Sequence, residues 1–235
     1  IDSPDDVRLC REILMEHAQK QTLDLVGWYI NRPIENFLLR RIADWPITPN
    51  QVSVVANLVA YVVAGLFLAG HTLPAASLAL CVNVLDGLDG KLARIKGLST
   101  RLGQMEHSFD VLYEQLWYVT FAWAASNGGA DWMPLLLALV LLCFDTFSRH
   151  LSMQFYRITG VSLSDYAPFD RLVRRFDGRR NIYSIYLLLG ALFSVPFSAL
   201  VAIAMHAGLT SVVYAVRVAM HLHAVDQGRS PTRRT

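Results

Sequence analysis

NVLDGLDGKLARIKGLSTRLGQMEHSFD, Asn83 to Asp110, sets Asp86, Asp89, Glu106 and Asp110 between two runs apolar enough to cross a bilayer. An ionised carboxylate inside a membrane span costs several kcal/mol and normally faces a cavity, a partner or a cation. The surrounding composition sharpens the question. Of 235 residues, 54% are hydrophobic and only 17% charged, where a soluble domain carries about a quarter. The net charge of +2 is too small for a nucleic-acid partner, and no basic tract alternates with aromatics as such a groove needs. Cys10, Cys81 and Cys143 show no metal-ligand spacing and read as buried thiols. The composition is that of a membrane protein.

Outward from this stretch, six segments have the length of about 20 apolar residues that a transmembrane helix needs: 51–70, 73–96, 102–126, 132–157, 181–205 and 208–226. Their connections sort by charge. One set of ends holds Arg40, Arg41, Lys96, Arg101, Arg157, the arginines of 171–180 and those of the C-terminal tail, while the ends near His71, Asp131 and His206 hold no Lys or Arg. The positive-inside rule then sets both termini and the 157–180 loop in the cytoplasm. The expected fold class is all-α: a polytopic membrane protein of six transmembrane helices, residues 48–228, with an N-terminal interfacial amphipathic helix. That helix is KQTLDLVGWYINRPIENFLLRRIADWPI, residues 20–47, where aromatic and apolar side chains alternate with charges at helical spacing. Residues 229–235 form a basic tail, and 158–180 holds a second short amphipathic helix.

Spans two and three are antiparallel and meet near 97–101. At 1.5 Å per residue, both acid pairs fall about 6–15 Å inside the cytoplasmic end. Spacings of i,i+3 and i,i+4 put each pair on one helix face, so four carboxylates converge on one cavity. Like charges so close call for something positive between them. Oxygen-only donors suit Mg²⁺ or Mn²⁺, with room for two ions. Gly87 and Gly90 remove side chains where the acids stand, letting a ligand approach the helix, and Arg94 offers a planar fork to a phosphate.

DGLDGKLAR with Gly103 beyond it resembles the signature of the CDP-alcohol phosphotransferases, Asp-x2-Asp-Gly-x2-Ala-Arg, a spacer, then Gly-x3-Asp-x3-Asp. Asp86, Asp89, Gly90, Ala93, Arg94 and Gly103 match position by position, and TPNQVS before span one is similar too. The second half departs: from Gly103 the expected acids fall on His107 and Val111. A shift of one residue gives Glu106 and Asp110, as in relatives that read Asp-His-x2-Asp where this chain has EHSFD. The resemblance implies metal ligands Asp86, Asp89, Glu106 and Asp110, and two divalent cations. It implies a nucleotide site at Asp86, Gly90, Ala93, Arg94 and Asn50, Asp110 or His107 as the base, CMP as leaving group, and a homodimer.

The opening IDSPDDVRLCREIL resembles the closing segment of soluble nucleotidyltransferases. Residues 1–19 are then expected to trail a soluble domain that makes a CDP-activated polar head group, and the donor is expected to be soluble, such as CDP-inositol. The acceptor is a hydroxyl of inositol phosphate or of a lipid alcohol. Arg149, Arg157, Arg179 and Arg180 are candidates to hold its phosphate, with Asp145 as a partner of Arg149. Two other readings stand beside this one: a CDP-diacylglycerol-dependent phospholipid synthase, and a cation transporter, which predicts broken helices in repeats. The location expected is an inner or plasma membrane, with the site facing the cytoplasm.

Overall fold

The computed structural model describes residues 23–98 and 105–228, except the side chains of Glu106 and His107. Residues 1–19 and the tail 229–235 lie outside the described residues. Within them the chain is helical and contains no strand. A π-helical turn, Gly27–Asn31, leads into α1, Arg32–Ile42. Thr48 starts α2, Pro49–Leu68, through a capping box: its hydroxyl accepts from Gln51 N at 3.3 Å while Gln51 Oε1 accepts from Thr48 N at 2.9 Å. Two orphan donors of the first turn are satisfied reciprocally. After a tight turn comes α3, Thr72–Lys96, closed by Gly97 at φ 63°, a left-handed position that favours glycine. Then follow α4, Glu106–Ala125, α5, Met133–Thr159, and the short α6, Leu163–Tyr166. The last three are α7, Pro168–Phe176, α8, Arg180–Leu192, and α9, Pro196–Asp226.

Four of these, α2, α3, α5 and α9, are long and apolar enough to cross a membrane. Their polarity is inverted relative to a soluble bundle: Leu58, Leu139, Met205 and Leu209 are exposed, while Asp89, Lys91 and Asp145 are buried. The main core draws on α2, α3, α4, α5, α8 and α9. Fully buried Ala75, Ala76 and Ala79 keep one face of α3 thin, which suits helix association without a hydrophobic driving force. Trp117 of α4 fills the centre and donates from Nε1 to Ala60 O at 2.8 Å. Phe67 and Phe121 meet edge-to-face at 5.2 Å.

The last two spans are divided differently from the sequence expectation. The turn is not at 206–207 but at Phe193–Val195, with Ser194 at φ 56° and Pro196 opening α9. Pro is at home in a first turn, where its missing N–H leaves no bond unmade. No Asp, Glu, Lys or Arg occurs between Arg180 and Arg217, so no charge marked the turn. His206 lies inside α9, its Nε2 donating to Phe176 O at 2.7 Å and its ring against Tyr186. At Gly190 a Cβ would stand 2.5 Å from Ala199 Cβ, so only glycine permits this crossing of α8 and α9. The corrected α8 is 13 residues long and α9 is 31.

Candidate functional site

Counted along each helix from the end marked by Leu68, Thr72, Ala125, Met133 and Leu192, the polar side chains fall on one level. Asp86 and Asp89 of α3 lie about 21 and 26 Å along, Asp110 and Glu114 of α4 about 22 and 17 Å, Asp145 and Arg149 of α5 about 18 and 24 Å, and Arg180 of α8 about 18 Å. Five antiparallel helices, with Ser53 of α2 at about 22 Å, thus carry a single charged layer.

Within that layer is a cavity of ≈ 200 Å³. Asp86, Gly90, Arg94, Asp110, Glu114, Arg149 and Arg180 line it, together with Asp24, Asn31 and Glu35 from the N-terminal helical segment and Asn181 from α8. Arg180 is its central cation. It pairs with Asp86, donates to Tyr113 OH, and stands 3.4 Å from Glu114 Oε1. Its Nε is buried with no hydrogen-bond partner among the described residues, as befits a group that meets an anion. Arg149 bridges Asp145, at 2.7 Å, and Glu114.

A second cavity, ≈ 280 Å³, lies on the other side of Arg149 and Arg179, which line both. Its other walls are rich in hydroxyls: Ser148, Ser152, Tyr156, Ser162, Thr210 and Tyr214. The loop between α7 and α8 fixes this boundary. Buried Asp177 accepts from Arg174 and from Arg179 at 2.9 Å each and from Tyr214 OH, and Gly178 N donates to Thr210 Oγ1 at 2.8 Å. Burial pushes the Asp177 carboxyl up, but the Arg179 and Arg174 guanidiniums and the tyrosine hydroxyl outweigh it and hold it below the usual carboxylate value.

Of the residues expected from sequence, Asp86, Gly90, Arg94 and Asp110 face the first cavity, Arg149 and Arg179 face both, and Arg180 faces the first. Asp89 is buried beside it and accepts from Ser53 Oγ at 2.7 Å. Ala93 and Asn50 line neither cavity, nor does Arg157, which is exposed at the end of α5. Glu106 and His107 open α4 one turn before Asp110, and their side chains lie outside the described residues. Hard oxygen donors, with neither His nor Cys on the wall among the described residues, fit a divalent cation. Among the described residues no three His, Cys, Asp or Glu side chains are grouped closely enough to hold one; a closed set would draw on Glu106.

Sequence reasoning missed the wall supplied by the N-terminal segment. Glu35 pairs with Lys91 at 2.8 Å, Asp24 accepts from Asn181 at 2.9 Å, and Asn31 donates to Asn181 at 3.3 Å. Gly87 also lines the first cavity, and it makes room for Glu35 there, since a Cβ would stand 2.1 Å from Glu35 Oε1. A glycine facing a helix that also carries a buried acid was the one available signal.

Residues 46–214 match the family profile described as CDP-alcohol phosphatidyltransferase. Two curated relatives bear the name bifunctional IPC transferase and DIPP synthase. The one from Rubrobacter xylanophilus is 28% identical over 212 residues, 86% of this chain and 44% of its own. The one from Thermococcus kodakarensis is 26% identical over 201 residues, 84% and 44%. The chain thus spans less than half the length of these relatives. Among solved structures, Mycobacterium tuberculosis phosphatidylinositol phosphate synthase with CDP-DAG bound is similar with a TM-score of 0.60 at 19% identity, over 80% of this chain and 93% of that one. Its apo form gives 0.53 at 23%, over 82% and 94%. These two likenesses show the fold alone.

Proposed function

The chain belongs to the CDP-alcohol phosphatidyltransferase family and is an integral membrane enzyme; from that premise we propose that it transfers a phospho-alcohol from a soluble CDP-alcohol, such as CDP-inositol, to a hydroxyl of a phosphorylated polyol such as inositol phosphate. One observation carries the soluble donor and the polar acceptor: two cavities share the Arg149–Arg179 wall, and both are lined by charged groups, amides and hydroxyls. Among the described residues, Leu23 is the one large apolar side chain lining the first, and Met153 is the counterpart in the second. Acyl chains of a diacylglycerol donor find little apolar wall in either.

In this reading six helices, α2–α5, α8 and α9, cross the membrane, and the charged layer lies toward the cytoplasmic face. The nucleotide and diphosphate lie along α3 at Gly90 and Arg94. The acceptor phosphate lies against Arg149 and Arg179 from the second cavity, while Arg180 turns its unpaired Nε to an oxygen of the reacting phosphoryl group. Divalent cations held by Asp86, Asp89, Glu106 and Asp110 supply, when bound, neutralisation of the diphosphate. Asp110 takes the proton of the acceptor hydroxyl; the new O–P bond forms at the phosphorus distal to cytidine, the P–O bond to CMP breaks, and CMP leaves. Most of the protein's contribution is positioning and charge complementarity.

The test is CMP release by the purified chain with inositol phosphate, comparing CDP-inositol with CDP-diacylglycerol. Release with the first and none with the second is expected. Turnover of CDP-diacylglycerol alone would overturn the soluble-donor reading and leave the phospholipid-synthase reading in its place.

A further inference from the structure

The amphipathic helix α7, PFDRLVRRF, is used by neither cavity except through Arg174. Its nine residues divide into three arcs at 100° per residue. Asp170 and Arg174 point inward. Asp170 is gripped by Arg217 Nε at 2.6 Å, Arg217 Nη2 at 3.2 Å and His221 Nε2 at 2.7 Å, all from α9. Phe169, Leu172 and Phe176 form an exposed apolar arc, each at least 51% accessible. Arg171 and Arg175 form an adjacent exposed basic arc. Between α7 and α9 runs a groove of ≈ 270 Å³ walled mainly by Leu172, Val173, Phe176, Leu209 and Val213, with Asp177, His206 and Thr210 also lining it.

The level of this groove is fixed by α9. Arg217 lies 21 residues past Pro196, about 32 Å along the helix, which is the thickness of a hydrocarbon core of about 30 Å. The clasp on Asp170 therefore holds the start of α7 where acyl chains give way to head groups, and the groove opens just below it. An apolar slot that runs down from the level of Arg171, with Arg175 one turn further along α7, has the chemistry of one ligand class. We propose that α7 and the adjoining part of α9 bind an anionic phospholipid of the surrounding bilayer. An acyl chain lies in the groove, and the phosphate head group lies on Arg171 and Arg175. Short basic-and-apolar helices bind membrane surfaces by this combination of buried area and charge. The site is separate from the reaction cavities, and its occupant is a lipid whichever donor the enzyme uses. Its consequence for them is positional, because α7 carries Arg174, which with Arg179 holds Asp177 at the cavity boundary.

Native mass spectrometry of the full chain, released from nanodiscs containing equal phosphatidylglycerol and phosphatidylcholine, tests this. The wild type is expected to retain phosphatidylglycerol at least about tenfold over phosphatidylcholine. Arg171→Gln with Arg175→Gln should abolish that preference, and Leu209→Trp, which fills the groove from an exposed position, should lower retention of both lipids. Equal retention of the two lipids by the wild type overturns the proposal without reference to any variant. So does unchanged phosphatidylglycerol preference in the double variant with an unshifted melting temperature.

Discussion

Gly87 and Gly90 stand one turn apart on α3 and do different work. Gly87 lies under the Glu35 carboxylate, so Gly87→Ala must displace that carboxylate from its place beside Lys91. Overpacking of this kind costs about 1–3 kcal/mol, and the variant is expected to melt lower than the wild type with no ligand present. Gly90 opens on the cavity, where a Cβ would meet only the Arg94 guanidinium, Nη1 at 3.5 Å and Nη2 at 3.8 Å, both ordinary contacts. Gly90→Ala should therefore melt like the wild type alone but lose most of the heat protection given by CDP-alcohol with Mg²⁺. A ligand at 100 times its Kd adds about 2.7 kcal/mol, so the loss is measurable. The one-residue slip in the motif has its own test. Asp110 faces the cavity, and Glu106 stands one turn before it on the same helix face, whereas Val111 is turned away by about 100°. Glu106→Gln is expected to abolish CMP release and weaken Mn²⁺ binding in a calorimetric titration, with Val111→Ala close to wild type in both. The reverse pattern would place the working acids one residue later. The acids were legible in the sequence because carboxylates in an apolar run need a reason. Asp24, Asn31 and Glu35 were not, because polar residues on an interfacial helix need none.

At the scale of elements, the α7–α8 connection joins both cavities through Asp177. Its carboxylate has a side-chain exposure of 0% and contacts two arginines. Breaking a buried ionic network by removing one partner costs about 3–5 kcal/mol, and Asp177→Asn should lose stability on that order at pH 7. Because the folded carboxyl titrates below the unfolded one, the wild type binds fewer protons folded than unfolded as the pH drops. Its extra stability is complete above the unfolded value of about 3.9 and disappears as the pH falls through the lower folded value. The gap between wild-type and Asp177→Asn melting temperatures is thus expected to be constant from pH 7 to 5 and to begin narrowing below about pH 4. A gap that widens as the pH falls would mean that the arginines do not hold the charge. Sequence alone marked this loop as basic, and composition explained the arginines as membrane-side anchors. Asp177 and Tyr214, 37 residues apart, give them a second partner that no local pattern announces.

Over the whole molecule, the charged layer decides what the bundle can be. A cation transporter and a transferase both bury acids, but this layer also holds Arg94, Arg149, Arg179 and Arg180 on cavity walls, and cations so placed repel a cation and attract a diphosphate. The layer has one level only if the helices alternate in direction with turns near Leu68–Thr72, Ala125–Met133 and Phe193–Val195. The last of these separates the structure from the sequence-based division of the chain at 206–207. Hydropathy could not place it, because both sides of the turn are equally apolar; the structure places it through Pro196 and the Gly190–Ala199 crossing. In a background with Cys10, Cys81 and Cys143 changed to Ser, Ser194→Cys is expected to react with a membrane-impermeant maleimide added from the non-cytoplasmic side of oriented membranes. His206→Cys, about 15 Å along α9 from Pro196 and inside the bilayer, should stay unlabelled from either side, and Arg171→Cys should react only from the cytoplasmic side. Labelling of His206→Cys with protection of Ser194→Cys would restore the later turn, give α8 the length of a full span, and move Arg180 off the level of Asp86.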